Sequence, residues 1–246
     1  MKYSLNRGTY NKSKAEGSSG SGATIRKNYS IKLCPHGSTG KLKLHTDGNL
    51  HRLYAWKQTR IYSCGPAALM TALAEYGKAE LSEKSEIAIW KKVRNMLFMG
   101  STPAYLARFA KSRGVSARLW IRSGNGPEKR YGKTLFHRLL HSHLLRVYRK
   151  TAVAYRKQGN EVSDYREESE ITGVLRSSPE AKAIYLIADD DEIFHFILAR
   201  QQGGRLVVMD PANGANTHFT EAGFLARYEP KMLGYCVLLG KVQPVQ

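Results

Sequence analysis

The chain has 246 residues, of which 42% are hydrophobic and 24% are charged, and this composition indicates a soluble globular protein of one elaborated domain. Three cysteines are too few for a disulfide framework, and no apolar run approaches the ~18 residues of a membrane-spanning helix. The net charge of +19 instead predicts acidic partners, such as nucleic acid, an anionic membrane surface or an acidic protein.

The first part of the chain carries no sign of a folded core. Residues 1–30 are basic and rich in Gly and Ser, which predicts a flexible basic arm ahead of a domain over 31–246. No apolar segment of a signal peptide follows the N-terminal charges, so we expect a protein made and folded in the cytoplasm. Secretion by a route independent of a signal peptide stays open. Residues 29–54 alternate between apolar and polar, which predicts a small hairpin.

Helices dominate the next segment. After Cys64, apolar residues recur at helical spacing as far as Gly77, which is typical of a residue that follows a helix end. Pro66 is tolerated only in a first turn, so we expect this helix to begin at the cysteine. The patterns predict two more helices at 82–98 and 103–114 and a strand at 115–121.

The rest of the chain divides into a basic segment and a run of strands. Residues 123–180 are predicted to form a basic helical insertion, with helices at 133–157 and 164–175. Strands are predicted at 183–188, 194–200, 206–209 and 232–239. Helices followed by strands with hairpin-length links favour an α+β fold with an antiparallel sheet.

Cys64 is the first candidate for chemistry. The N-terminus of a helix stabilises a thiolate through its unpaired N–H groups, and Gly65 leaves backbone N–H groups open beside the sulfur. Gln58 precedes the cysteine by six residues, so its side-chain amide could supply a second donor to an oxyanion. The alternative is a buried free cysteine on an apolar helix, which is common.

His195 and Asp210 are the candidates for a base and its partner. His195 lies in an apolar strand, and Asp210 ends the next strand, fifteen residues later, across a predicted turn at 201–204. Hairpin neighbours can bring a carboxylate against an imidazole, as a catalytic cysteine requires. The alternatives are a histidine satisfied within the core and an ordinary Asp-Pro turn.

These segments together resemble a known family. Gln58 stands six residues before a Cys-Gly-Pro-Ala-Ala sequence that begins at Cys64, His195 lies in Phe-His-Phe-Ile-Leu, and Asp210 lies in Met-Asp-Pro-Ala-Asn-Gly. The combination resembles the papain-like cysteine peptidases that process bacteriocin leaders at a double glycine, in a free-standing form.

The resemblance implies a fold, a chemistry and a set of roles. The fold would be papain-like, with a helical lobe and an antiparallel sheet, and the reaction would need no metal or organic cofactor. It also assigns one role to each of four residues: Cys64 the nucleophile, His195 the base, Asp210 the residue that orients the base, and Gln58 the oxyanion donor. The resemblance covers about 55–122 and 183–240, and it leaves the arm and the insertion unexplained.

Several uses of this machinery stay open. We expect a cysteine peptidase that hydrolyses a peptide or protein substrate through a Cys64 acyl-enzyme. The long basic insertion and the lack of membrane helices differ from the transporter domains of the family, and they favour a bacterial effector or toxin with an acidic partner, such as an immunity protein. The alternatives are a deamidase or acyl-transferase on the same triad and a basic nucleic-acid-binding protein with an inactive fold.

Three further patterns carry a weaker functional signal. Residues 129–157 contain nine Lys and Arg with interleaved aromatic side chains, which predicts either a sequence-blind nucleic-acid surface or a solvated helix that covers the core. Histidines at 137, 141 and 143 include a pair at metal-binding spacing, but arginines surround them and no carboxylate joins them. The acidic residues 189–192 indicate a turn rather than a cation site.

Overall fold

The computed structural model describes residues 53–95, 100–123, 135–189 and 193–240. The predicted arm lies outside these residues, as does the predicted hairpin except for its last two positions. In chain order the elements are α1 (Cys64–Glu75), α2 (Glu83–Val93), α3 (Pro103–Ser112), β1 (Ala117–Arg122), α4 (Leu135–Lys157), β2 (Val162–Tyr165), α5 (Glu168–Ser177), β3 (Lys182–Ala188), β4 (Phe194–Gln202), β5 (Arg205–Asp210), β6 (Ala215–Phe219), α6 (Glu221–Tyr228) and β7 (Met232–Leu239).

The strands form one sheet in the order β2-β1-β7-β3-β4-β5-β6. Its neighbours pair antiparallel, except for β1 and β2, which pair in parallel at one edge. A parallel pair needs a long crossover connection, and α4 lies between these two strands in the chain. The α+β prediction is therefore confirmed, with one parallel pair added to the antiparallel sheet.

Helices cover both faces of the sheet. One core joins α1, α2, α3 and α4 to the sheet, and the other joins α5 and α6 to its opposite face. Along β4, Phe196 and Leu198 belong to the first core, whereas Ile197 and Ala199 belong to the second. This is the alternation that a strand buried on both sides must show. A cysteine-bearing helix thus packs against a largely antiparallel sheet, which are the two parts that the resemblance implies.

Two predicted helices differ from the observed elements. The helix expected at 82–98 ends at Val93, because Arg94 turns to extended backbone and forms an isolated bridge with Ser101. The helix expected at 164–175 begins only at Glu168, because residues 162–165 form β2. A strand of four residues with one buried side chain is too short to show an alternating pattern. Strand β6 and helix α6 were not predicted.

The basic helix forms as predicted and packs with one face against the core. His141, Tyr148, Ala152 and Tyr155 are buried at helical spacing. Its opposite face carries six exposed Lys and Arg, and the helix contains no Asp or Glu. Among the described residues, no helix combines the length and the apolar character that crossing a membrane requires.

Candidate active site

Cys64 is the first residue of α1, directly after the N-cap residue Ser63. The first N–H groups of a helix have no acceptor within that helix, so those of Cys64 and Gly65 lie beside the sulfur. Gly65 permits a close approach to the sheet, because a Cβ there would stand 3.1 Å from the ring of Phe196 and 3.2 Å from Cβ of Ser101. The start of the helix is therefore held against β4, the strand that carries His195.

His195 and Asp210 meet at the open end of the β4–β5 pair. The ladder between the two strands ends at the pair of Leu198 with Met209, and the two side chains lie beyond it. Nε2 of His195 is 2.7 Å from Oδ1 of Asp210. The same oxygen accepts the backbone N–H of Ala212 at 2.9 Å, so the turn after β5 orients the carboxylate.

Cys64 also lies close enough to the imidazole to raise its pKa. Because Nε2 contacts Asp210, Nδ1 is the ring nitrogen left for the sulfur. Burial by itself would lower the pKa of His195, but hydrogen bonds with Asp210 and Cys64, together with their negative charges, raise it to about 10. Burial raises the pKa of Asp210, but the hydrogen bonds from His195 and Ala212 outweigh this and hold it below its usual value. The pairing with Asp210 therefore favours a protonated imidazole.

Gln58 lies near this group without a bond to it. Its backbone N–H donates to the carbonyl of Pro211 at 2.8 Å, which joins it to the turn that follows Asp210. Its Nε2 donates to the carbonyl of Arg60 at 2.9 Å, and its Oε1 is buried without a hydrogen-bond partner among the described residues. The structure thus brings together Cys64, His195 and Asp210, and it places the Gln58 amide against Arg60.

Gln58 belongs to a segment without helix or strand, residues 54–63, which directly precedes α1 and which we call the strap. Two buried carboxylates hold it. Oε1 of Glu75 accepts the N–H of Tyr54 at 3.0 Å, and Nη2 of Arg200 donates to the carbonyl of Tyr54 at 2.7 Å. Glu75 and Arg200 also form an ion pair at 3.2 Å, so this end of the strap is fixed inside the core.

Glu86 is the second carboxylate, and the sequence analysis did not single it out. It lies in the first turn of α2 and is fully buried. It accepts hydrogen bonds from Nε1 of Trp56 at 2.6 Å, from the backbone N–H of Thr59 at 2.9 Å, and from the hydroxyl of Ser63. Acidic residues are common in the first turn of a helix, because they interact favourably with the helix dipole. Nothing in the sequence therefore distinguished Glu86 as a buried residue.

The inner face of α4 adjoins the same site. The ring of His141 stacks on Phe194 with centroids 4.5 Å apart, and Tyr148 lies over the same phenylalanine at 6.2 Å. Burial, and then the negative charge of Cys64, raise the pKa of Tyr148 far above its usual value. The basic segment is therefore part of the wall of the site.

The remaining polar candidates are less informative. Of the pair at metal-binding spacing, the side chain of His137 lies outside the described residues and His141 is buried against Phe194, whereas His143 is exposed. Of the acidic residues 189–192, only Asp189 lies within the described residues, and its Oδ1 accepts the N–H of Ile193 at 2.7 Å. Within the part of the chain that the structure describes, no three metal-ligating side chains cluster together.

Residues 53–172 match the family model described as "Peptidase_C39 like family". The match contains Gln58 and Cys64, runs through α4, and ends before His195 and Asp210. The resemblance to this type of cysteine peptidase is confirmed over that range. No protein in the curated set matches the chain significantly.

Two solved structures are similar at low identity. One is the peptidase domain of Streptococcus ComA, a bifunctional ABC transporter involved in a quorum-sensing pathway. The sequence identity is 14%, the alignment covers 77% of this chain and 98% of that chain, and the TM-score is 0.43. The other is a double glycine motif protease from an AMS/PCAT transporter in complex with the leader peptide, with 15% identity, coverages of 78% and 94%, and a TM-score of 0.40.

Proposed function

We propose that the chain is a cysteine peptidase in which Cys64, His195 and Asp210 act together. The observation that carries the proposal is the pairing of the His195 imidazole with the Asp210 carboxylate at 2.7 Å, close to Cys64 at the N-terminus of α1. The family match supports the coarser statement, a peptidase-like protein, and contains the proposed nucleophile. The roles below are assigned by chemistry.

The reaction proceeds through a thioester. The Cys64 thiolate attacks the carbonyl carbon of a peptide bond, and the C=O electron pair moves to the oxygen. The carbon–nitrogen bond then breaks while the His195 imidazolium donates its proton to the leaving amine. In the second half, a water molecule gives a proton to the neutral imidazole and attacks the thioester. The carbon–sulfur bond breaks, and the carboxylate product and the thiolate are released. Asp210 keeps the ring oriented throughout.

Backbone N–H groups and Gln58 are the proposed donors to the oxyanion. The open N–H groups at the start of α1 lie beside the sulfur. Nε2 of an amide carries two N–H groups, and in Gln58 one of them is directed at the carbonyl of Arg60. The second is the one that we assign to the developing negative charge. The bond with Arg60 thus fixes the orientation of the amide before substrate arrives.

The basic face of α4 suggests the character of the substrate or partner. Six exposed Lys and Arg on a helix without Asp or Glu attract acidic polypeptides, and the inner face of the same helix adjoins Cys64. We therefore propose an acidic peptide or protein substrate, or an acidic inhibitor of the immunity-protein type. The role of an effector or toxin, and the route of its delivery, stay expectations from the sequence.

The direct test measures acylation of Cys64. With p-nitrophenyl acetate, the wild type should release a burst of one nitrophenolate per active site, and mass spectrometry should place the acetyl group on Cys64. Cys64→Ala should abolish the burst, and His195→Ala should be nearly as severe. Gln58→Ala should lower the acylation rate by ~10²–10³, as the loss of one oxyanion donor typically does. Equal acylation of Cys64 and the fully buried Cys236 would contradict the proposal.

Peptidase, deamidase and acyl-transferase chemistry share the acyl-enzyme and differ in the bond cleaved and the acceptor. Mass spectrometry of a proteome treated with the wild type and with Cys64→Ala separates them. New peptide termini indicate a peptidase, a gain of about one mass unit at Gln indicates a deamidase, and a new isopeptide bond indicates a transferase. New termini that depend on Cys64 are the expected result.

A further inference from the structure

Glu86 is a buried carboxylate that no step of the proposed reaction uses. It is 0% exposed, and within the described part of the chain its hydrogen-bond partners are three donors from the strap rather than a cation. Arg60, one of the two cations of the strap, pairs instead with Glu83 on the exposed side of the same helix at 3.4 Å. A buried carboxylate requires such donors, because burial without them is costly.

The three residues that donate to Glu86 lie on both sides of Gln58, the proposed oxyanion donor, in the sequence. Trp56 and Thr59 lie on either side of Gln58, and Ser63 directly precedes the nucleophile. Ser63 in turn donates its backbone N–H to the carbonyl of Arg60 at 3.1 Å, and this is the carbonyl that accepts the Gln58 amide at 2.9 Å. The carboxylate is thus connected to both ends of the segment that carries the oxyanion donor.

We propose that Glu86 is a positioning residue of the active site, which holds the strap so that the Gln58 amide and the N-terminus of α1 face the same oxyanion. This inference rests on the proposed function. Its physical reason is preorganisation: donors aimed at a developing charge act only if they are in place before the reaction, and a shift of ~1 Å can cost on the order of 10²-fold in rate. The strap has no regular hydrogen-bonded ladder of its own to supply that order.

The test compares two reactions of the same cysteine. Acylation by p-nitrophenyl acetate develops an oxyanion, whereas alkylation by iodoacetamide is a displacement at carbon that develops none. Glu86→Gln replaces one acceptor oxygen by an N–H₂ donor that faces the donors of the strap. We expect its acylation rate to fall roughly 10- to 100-fold, while the rate of Cys64 alkylation stays within about threefold of the wild type. A general loss of folding would lower both rates together.

Glu83→Gln is the matched control. It makes the same change in the same turn of α2, but its side chain is 56% exposed and pairs with Arg60 of the strap. Acylation and alkylation by this variant should both match the wild type. Combining Glu86→Gln with Gln58→Ala should cost no more than Gln58→Ala alone, because a misplaced donor and a missing donor are equivalent.

Several outcomes would overturn the inference. If the wild type gives the burst and Glu86→Gln acylates within threefold of it, the proposed function stands and the positioning role is wrong. If the losses in acylation rate from the two substitutions multiply in the double variant, Glu86 acts independently of Gln58, and the positioning role is again wrong. If the wild type itself gives no burst, the proposed function fails. Should Glu86→Gln not fold, Trp56→Phe removes one donor to the same carboxylate and should lower acylation, again without lowering alkylation.

Discussion

Gly214 lies where the turn after Asp210 meets the strap, and Gly214→Ala is the substitution whose effect the structure defines best. Its φ is +68°, a left-handed conformation that costs a residue with a side chain about 1–2 kcal/mol. In addition, a Cβ there would stand 2.7 Å from the backbone nitrogen of Lys57 and 2.9 Å from its Cα. Because both atoms belong to the backbone, no rotamer change relieves the contact.

The strap must therefore move. Reaching ordinary van der Waals contact requires a displacement of roughly 0.7 Å. The neighbouring hydrogen bond from Gln58 N–H to the carbonyl of Pro211, 2.8 Å long, would be lost or lengthened, at about 1 kcal/mol. The left-handed conformation and the weakened hydrogen bond together lower the free energy of unfolding by about 2–3 kcal/mol. For a protein of this size, that corresponds to roughly 5–10 °C in Tm.

Gly204 is the matched control, since it has a φ of +77° but no atom of the described residues within 4 Å of its Cβ position. Gly204→Ala should lose only the conformational part, about 1–2 kcal/mol, and should acylate at the wild-type rate. Gly214→Ala should melt lower still and acylate on the order of 10²-fold more slowly, because the displacement reaches Gln58. Circular dichroism melts and the p-nitrophenyl acetate burst measure the two effects. Equal melting points and equal burst rates for the two variants would refute the argument.

Three other predictions concern the thiol, the ion pair and the basic helix. Iodoacetamide at mildly acidic pH should label Cys64 well before Cys236, which is fully buried, and equal rates by peptide mapping would exclude an activated thiol. The pKa of His195 is raised to about 10 from 6.5, so its contribution to stability is complete below pH 6.5 and is lost as the pH rises through 10. The lowered pKa of Asp210 adds a contribution that is present above 3.8 and is lost in acid. The urea midpoints of the wild type and Asp210→Ala should therefore differ most near pH ~5–6 and converge as the pH approaches ~10, and a constant difference would contradict the pairing. Any binding of single-stranded DNA to α4 should be weak and independent of sequence, and its affinity should fall steeply between ~50 and ~200 mM salt. Tight binding at physiological salt that persists in Cys64→Ala would favour the nucleic-acid-binding alternative. Fluorescence anisotropy measures this slope, and it should flatten when three basic residues are neutralised, Arg146, Arg149 and Lys150.

Local patterns in the sequence determined the class of fold and the order of its main elements. Apolar residues at helical spacing behind Pro66 predict α1, and the φ of +69° at Gly77 agrees with the helix end expected there. The hairpin of β4 and β5 follows from two apolar runs around a double-glycine turn. Such elements are predictable because their signals, periodicity and turn residues, lie within a few positions of one another. Strand β2 had no such signal and was taken for a helix.

The proximity of His195 to Asp210 also follows from the chain, because a hairpin of this length brings its ends together. Its approach to Cys64 does not, since 131 positions separate the two residues. That contact depends on how closely α1 packs on β4, which Gly65 permits and which no local pattern encodes. The roles of the three residues are still predictions in either case.

Glu86 shows most clearly what only the tertiary structure decided. In the sequence it is one of several acidic residues at the start of an amphipathic helix, and the dipole of that helix explains it fully. In the structure it is buried and bound by the strap, whereas Glu83, three positions earlier, is exposed. The amphipathic pattern predicts that one face of α2 is buried, but which segment covers that face depends on contacts between residues more than twenty positions apart. The sequence by itself therefore determined the elements and the candidate residues. Packing decided which carboxylate binds the strap that precedes Cys64.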